Sequence, residues 1–302
     1  MSKILITGGT VFVSKFLAEY FIGEGNEVYV FNRGSRQQSE GAHLIKGNKK
    51  YINKKLSEHF FDIVIAVNIY TKEEMKNLLD GLKNFGDFIF ISSSAVYCEN
   101  NSLPFKETSE TGKNSIWRDY GINKLEAENY LLRNIPRAYI LRPPYLYGKY
   151  QNLYREGFVF DCAMKGLPFY IPKKGTMPLQ FCHVFDLCLL IQEIVRVRPK
   201  SHIMNVGNRE LTDINGFVEM CYDIVGAKLE KIYVDSSHQQ RSYFPFHDYN
   251  YYLDVTKQYD IIPQTVPLYR GLQKDFEYYK SHQDEVMKKQ SYFDYIEKYL
   301  KK

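Results

Sequence analysis

Short apolar runs alternate with amphipathic stretches through the first half of the chain. Residues 3–7 (Lys-Ile-Leu-Ile-Thr) read as a buried strand that stops at Gly8-Gly9-Thr10, and residues 12–22 then space their apolar side chains as one face of a helix. Glu-Val-Tyr-Val-Phe at residues 27–31 predicts a second strand, followed by the polar loop Asn32-Arg33-Gly34-Ser35-Arg36. The alternation continues with a weak strand over residues 43–46, a strong one over 61–67, a helix over 72–83, a strand over 88–92, a helix starting at Asp119 and a strand over 138–141. Strand, helix, strand in this rhythm predicts an α/β fold with a Rossmann-type doubly wound parallel sheet and right-handed crossovers.

Past Pro143-Pro144 the pattern loosens into Tyr-, Phe- and Pro-rich loops around a helix over residues 154–165. Two later segments have the periodicity of elements that return to the sheet: a helix over 183–197, and a strand over 202–206 with a helix over 215–225. A short strand over 231–234, a polar and aromatic loop, and helices over 269–282 and 283–300 complete the chain. There is no internal repeat and no low-complexity linker. The second half predicts a smaller region set over the carboxyl ends of the strands.

Composition narrows the function classes. Lys plus Arg is 40 and Asp plus Glu is 35, and a net charge of +5 over 302 residues does not by itself call for a nucleic-acid partner. The five cysteines, Cys98, Cys162, Cys182, Cys188 and Cys221, are odd in number, scattered and free of C-x-x-C, which fits thiols in a reducing compartment; no metal is expected. Met1-Ser2-Lys3 leads straight into a strand and no apolar stretch approaches the ~20 residues of a membrane span, so the expectation is a soluble cytoplasmic protein. The 26 Tyr and 20 Phe supply contact area with a polar handle on Tyr; stacking on a sugar or base is one use, and packing is the commoner one.

Three places carry candidate chemistry. Strand, Gly8-Gly9-Thr10, helix is the topology that sets backbone N–H groups and a helix N-terminus against a pyrophosphate. In a G-x-x-G-x-x-G pattern Gly8 fills the first position, whereas Val11 and Ser14 hold the second and third, where a Cβ obstructs phosphate or helix packing. After the second strand stand Asn32, Arg33 and Arg36 in place of an acidic residue; two guanidinium groups beside a ribose favour a 2′-phosphate, so NADP is preferred to NAD. Tyr120 and Lys124, one turn apart on a helix, share a face, an arrangement in which the ammonium favours the phenolate and lowers its pKa.

With these residues in place the chain resembles the extended short-chain dehydrogenase/reductase superfamily, of the NAD-dependent epimerase/dehydratase type. The resemblance covers nearly the whole chain: the glycine turn, Ser93 to Tyr97, Tyr120 to Lys124, Leu141-Arg142-Pro143 with Tyr147-Gly148, Phe181 to Asp186, Asn205-Val206-Gly207 and Leu253-Asp254. It implies a dinucleotide-binding domain over residues 1–150, completed by 180–225, and a smaller substrate-binding region over 151–179 and 226–302. Tyr120 would be the general acid/base, Lys124 would bind the nicotinamide ribose and lower the Tyr pKa, and Ser93, or Ser94 in a shifted register, would hydrogen-bond the reacting oxygen. The cofactor would meet Gly8, Gly9, Thr10, Phe12, Val13, Asn32, Arg33, Arg36, Asn48, Val67, Lys124 and Pro143, and the substrate Ser94, Tyr145 and Arg241.

Two departures refine this. The dehydratase branch follows its catalytic hydroxyl residue with Asp-Glu; here Ser94 and Ala95 stand there, so epimerisation or carbonyl reduction of a sugar or nucleotide-sugar is preferred to 4,6-dehydration. Before Phe181, where such enzymes often carry an Arg for the substrate diphosphate, this chain has Leu179-Gln180, with Lys173, Lys174 or Arg241 as substitutes. His183 and Asp186 open a helix and are assigned a structural role at the domain junction. The cluster Lys49, Lys50, Lys54, Lys55 reads as a solvated helix face. The alternative function is an RNA- or protein-binding module that keeps the fold with a regulatory or vestigial cofactor site, since the sequence around Gly8 to Ser14 is similar to the chloroplast stem-loop RNA-binding branch. The helices flanking Tyr120 offer a face for a homodimer.

Overall fold

Strands buried on both faces dictate a sheet covered by helices on both sides. Ile4, Leu5 and Ile6 are fully buried, as are Val64, Ile65 and Ala66, and each of the Val, Leu and Ile side chains contributes about 1.5–3 kcal/mol of burial. In a computed structural model, which describes residues 1–301, the chain opens with β1 (Lys3–Thr7), α1 (Phe12–Gly23), β2 (Glu27–Asn32), β3 (His43–Lys46), β4 (Phe61–Ala66), α2 (Lys72–Gly81), β5 (Phe85–Ile91), α3 (Asp119–Asn134) and β6 (Tyr139–Arg142). It continues through β7 (Tyr145–Tyr147), α4 (Glu156–Met164), β8 (Phe169–Pro172), β9 (Pro178–Leu179), β10 (Phe181–His183), α5 (Val184–Val197), β11 (Ile203–Asn205) and β12 (Thr212–Asp213). The last elements are α6 (Ile214–Val225), β13 (Lys231–Val234), α7 (Thr256–Tyr259), α8 (Leu268–Tyr279) and α9 (Gln290–Tyr295).

Seven strands form the central sheet in the order β11-β6-β5-β4-β1-β2-β3, and every pair in it is parallel. The winding reverses between β1 and β4, so their carboxyl ends open a crevice where ligands of doubly wound sheets bind. One face buries α1 and α5 with Leu17, Phe21, Leu187 and Ile191; the other buries α2 and α3 with Met75, Leu78, Ala127 and Leu131. The sheet and its coverage agree with the α/β expectation.

A separate aromatic core holds the second region together. It unites Phe158 and Phe160 of α4, Phe169 of β8, Phe276 of α8, and Phe244 and Phe246 from the loop after β13. This core also takes Ile214, Phe217, Val218 and Cys221 of α6, so α6, grouped with the sheet domain on its sequence, packs with the second region instead. The antiparallel pairing of β12 with β9 just before it directs the chain away from the sheet. The expected helix over residues 283–300 is broken: α9 is short and a π turn follows over Ile296–Leu300. Among the described residues no helix is long and apolar enough to cross a membrane.

Candidate functional site

The crevice is a cleft of about 820 Å³. It brings together Gly8, Thr10, Phe12, Val13, Asn32, Arg33, Arg36, Asn48, Val67, Tyr120 and Lys124 from the expected set. Gly9, Ser93, Ser94, Pro143, Tyr145 and Arg241 do not line it.

At the glycine turn, Gly8 and Gly9 have φ of 104° and 94°, a conformation glycine adopts without penalty. A Cβ on Gly8 would stand 2.6 Å from Ser14 Oγ, and one on Gly9 would overlap Val30. Ser14 therefore fills the space that a third glycine would leave open, and its hydroxyl donates to the Val11 carbonyl at 3.0 Å. Val11 is extended at φ −141°, a geometry that needs no glycine, but it lines the cleft where phosphate would approach. No side chain caps α1 and no acidic residue lies in its first turn, so its leading N–H groups face the cleft ready for an anion.

Asn32 shapes the neighbouring loop. Its Nδ2 donates to the Gly8 carbonyl at 2.7 Å and to Gln38 Oε1 at 2.8 Å, and its Oδ1 accepts from the Gly34 N–H at 2.8 Å. The expected ribose contact thus becomes a scaffold for the turn, leaving Arg33 and Arg36 as the cationic wall. Thr7 joins β1 to β4 by accepting from the Val67 and Asn68 N–H groups at 2.8 and 3.3 Å.

Lys49, which the charge pattern places on a solvated face, folds into the cleft wall. Its ammonium pairs with Glu74 at 3.1 Å, donates to the Asn68 carbonyl and lies 4.1 Å from the Tyr70 ring centroid. Desolvation lowers its pKa, and Glu74 partly restores it. Asn68, Tyr70 and Ser92 also line the cleft, unforeseen because isolated polar residues after strands have no pattern. Asn68 Oδ1 and Ser92 Oγ are buried there without a hydrogen-bond partner.

Tyr120 and Lys124 both reach this cleft from α3. Lys124 is 2% exposed, and its ammonium donates to the carbonyls of Ile69 and Ile91 at 2.8 Å each. The rings of Phe90 and Tyr70 lie 4.7 and 5.1 Å from it. Desolvation pulls its pKa down to about 7 against the opposing charge of Glu128. Tyr120 is 43% exposed as a residue, but burial of its hydroxyl end raises the phenol pKa; the nearby Ser93 hydroxyl lowers it in part and Tyr70 raises it. The expected depression toward neutrality is absent in this state, because burial of the phenol outweighs the lowering influence of Ser93 and the ammonium is turned to two backbone carbonyls.

The remaining expected residues sit behind or beside the cleft. Ser93 Oγ accepts from the Ala95 N–H at 3.2 Å, Ser94 donates to the Tyr251 hydroxyl at 3.3 Å, and the Pro143 carbonyl accepts from the Ser94 N–H at 2.9 Å. Arg241 donates to the carbonyls of Phe244 and Pro245 and lines a second cavity of about 270 Å³. His183 caps α5 by accepting from the Phe185 N–H at 3.2 Å, and Asp186 accepts from the Val266 N–H at 3.0 Å. Burial lowers His183 to about 4 and raises Asp186 to about 7.

A parallel sheet reversing at an uncapped glycine turn, with Tyr120 and Lys124 on the same crevice and Ser93 beside it, defines an α/β protein of the short-chain dehydrogenase/reductase type. The family model of the NAD dependent epimerase/dehydratase family matches residues 4–207, and the chain belongs to that family. It is 27% identical over 279 residues to the chloroplast stem-loop binding protein of 41 kDa b of Arabidopsis thaliana, covering 84% of this chain and 72% of that one. Its fold is similar to that of a dTDP-glucose 4,6-dehydratase from Bacillus anthracis solved with NAD, with TM-score 0.75, 18% identity, and 95% and 99% of the two chains covered. It is likewise similar to a UDP-glucose 4-epimerase from Thermotoga maritima solved with UDP-glucose, with TM-score 0.75, 20% identity, and 93% and 99% covered. A UDP-glucuronic acid 4-epimerase from Bacillus cereus, solved with UDP-glucuronic acid and NAD, gives TM-score 0.72 at 19% identity over 92% and 99%.

Proposed function

We propose that the protein is an NAD(P)-dependent epimerase or reductase acting on a sugar or nucleotide-sugar, with Tyr120, Ser93 and Lys124 as its catalytic residues. The observation that carries this reading is that Tyr120 and the buried Lys124 reach, from one helix, the same cleft as the uncapped turn of α1. The residues present fit a dinucleotide: open N–H groups for pyrophosphate, and the orphaned Asn68 Oδ1 and Ser92 Oγ as waiting acceptors. When bound, the nicotinamide supplies a reversible hydride acceptor. Tyr120 exchanges a proton with the substrate oxygen, Ser93 hydrogen-bonds that oxygen, and the Lys124 ammonium orients the ribose. The raised phenol pKa keeps Tyr120 protonated at neutral pH, the form that donates to a carbonyl oxygen. No carboxylate stands at Ser94 or Ala95, which favours epimerisation or carbonyl reduction over elimination. Arg33 and Arg36 on the wall favour NADP.

Fluorescence titration with NADH and NADPH tests the cofactor half. Saturable binding, tighter for NADPH, is expected; no affinity for either in the millimolar range overturns it.

A second reading draws on the relative named for stem-loop binding. Tyr51, Ile52 and Phe60 are exposed among Lys50, Lys54 and Lys55, a cationic and aromatic surface suited to single-stranded RNA. It predicts RNA binding whose log affinity falls by about 0.7 per phosphate contact with log salt, untouched by Tyr120→Phe. Failure to retain RNA at low salt dismisses it.

A further inference from the structure

The position ahead of β10, where the resemblance places a substrate-gripping arginine, is closed to ligand here. Gln180 is buried, and its Nε2 donates to the carbonyls of Asn208 and Leu253 at 2.9 and 3.2 Å while its Oε1 accepts from the Leu253 N–H at 2.8 Å. It fastens chain segments to one another. The three cations that the sequence offers as substitutes are placed elsewhere: Lys173 pairs with Asp248 at 2.7 Å on the surface, Lys174 is exposed, and Arg241 lines the second cavity.

Six lysine and arginine side chains line the cleft. Arg33, Arg36, Lys49 and Lys50 follow β2 and β3, and Lys124 is held by its two carbonyls. The sixth is Arg155, from the segment that leads into α4. Its side chain is 12% exposed, and its guanidinium carbon lies 5.4 Å from the Tyr145 ring centroid. Nη2 donates to the Leu146 carbonyl, but Nε is buried without a hydrogen-bond partner. The nearest opposite charge is Glu156, whose Oε1 is 4.0 Å from Nε and whose two carboxyl oxygens are likewise unpartnered. Burial raises the pKa of Glu156 and that of neighbouring Asp275 further, while the Arg155 charge lowers both in part. Tyr145, between the charges of Arg155 and Arg241, has a hydroxyl that is buried without a well-formed hydrogen bond.

We infer that Arg155 is a substrate-binding residue that takes an oxyanion of the substrate, phosphate or carboxylate, at the second region's side of the cleft. The Leu146 carbonyl and the Tyr145 ring hold the guanidinium, and its planar fork matches either anion. A neutral sugar would leave the remaining N–H groups of a mostly buried guanidinium without a charged acceptor. This deepens the proposed function and rests on it for the cleft being a substrate site.

Isothermal titration with UDP-glucose, glucuronate, glucose 1-phosphate and glucose, each with and without NADP+, tests it. The expected result is that at least one anionic probe binds and glucose does not, that Arg155→Gln weakens this anion at least tenfold, and that Arg155→Lys retains part of the affinity. UDP-glucose alone responding assigns a diphosphate, glucuronate a carboxylate, glucose 1-phosphate a phosphomonoester. Unchanged NADPH affinity and melting temperature in Arg155→Gln establish that the cofactor site and fold persist. Failure of all anions to bind the parent, or equal anion affinity in Arg155→Gln, overturns the inference; anion binding without any nicotinamide-nucleotide affinity overturns the cofactor reading and leaves Arg155 standing.

Discussion

Arg142 closes on Glu128 as a bidentate pair, Nη2 to Oε2 at 2.6 Å and Nε to Oε1 at 3.1 Å, with the side chains 4% and 1% exposed. Glu128 lies one turn beyond Lys124 on α3, and Arg142 ends β6, so the pair fixes the rotation of the helix that presents Tyr120. Arg142 Nη1 donates to the Tyr97 hydroxyl at 3.0 Å, and that hydroxyl donates to Asn205 Oδ1 at 2.7 Å on β11.

Removing one partner strands the other charge in the core. Glu128→Gln is expected to destabilise the protein by about 3–5 kcal/mol in urea unfolding, and Glu128→Leu combined with Arg142→Met to lose less than either single change. Singles that cost under ~1 kcal/mol would contradict a tie of this kind.

Lys124 gives a pH signature. Its pKa is about 7 when folded and about 10.4 when unfolded, so between these values the unfolded chain binds more protons and this group makes stability rise with pH. Below both values its burial penalty is complete. The stability gain of Lys124→Met over the parent is therefore expected to be largest at or below neutral pH and to shrink toward pH ~10. A difference that does not change with pH, followed by thermal melting, counts against the assignment.

Val11 lines the cleft beside the glycine turn, where the proposed function puts the pyrophosphate, and the turn does not need its Cβ. Val11→Gly is expected to tighten NADPH binding by up to about tenfold, ~1.4 kcal/mol, while lowering stability by about 0.5–1 kcal/mol through backbone entropy. Weaker binding in the variant, measured by titration, would place the phosphate elsewhere.

Arg33 and Arg36 stand on the same wall after β2. Replacing both by Ala should cost NADPH about 1.5–3 kcal/mol per lost charged hydrogen bond and leave NADH nearly unchanged. Equal losses for the two nucleotides would show that the arginines do not read the 2′-phosphate.

The sheet was legible because buried strands and amphipathic helices have distinct periods, and the glycine turn because only such a residue suits φ near 100° at Gly8 and Gly9. What periodicity does not encode is which core an amphipathic helix joins, and α6 went to the second region for that reason. Lys49 looked solvated in a run of charges, although Glu74 and the Asn68 carbonyl draw it inward from distant segments. Arg155 sits in an aromatic loop whose path depends on the second core. The spacing of Tyr120 and Lys124 put both on one helix face, but the direction of the phenol pKa is set by how deeply the folded chain buries the hydroxyl.

Hydride transfer itself tests the account most directly. Anaerobic mixing of the enzyme and NADP+ with nucleotide-sugars, followed through the absorbance of the reduced nicotinamide and the recovered sugar, is expected to show turnover by the parent. Tyr120→Phe should bind NADPH as the parent does and lose turnover by about 100-fold or more. A Phe variant as fast as the parent, with the same nucleotide affinity, would contradict the role given to Tyr120.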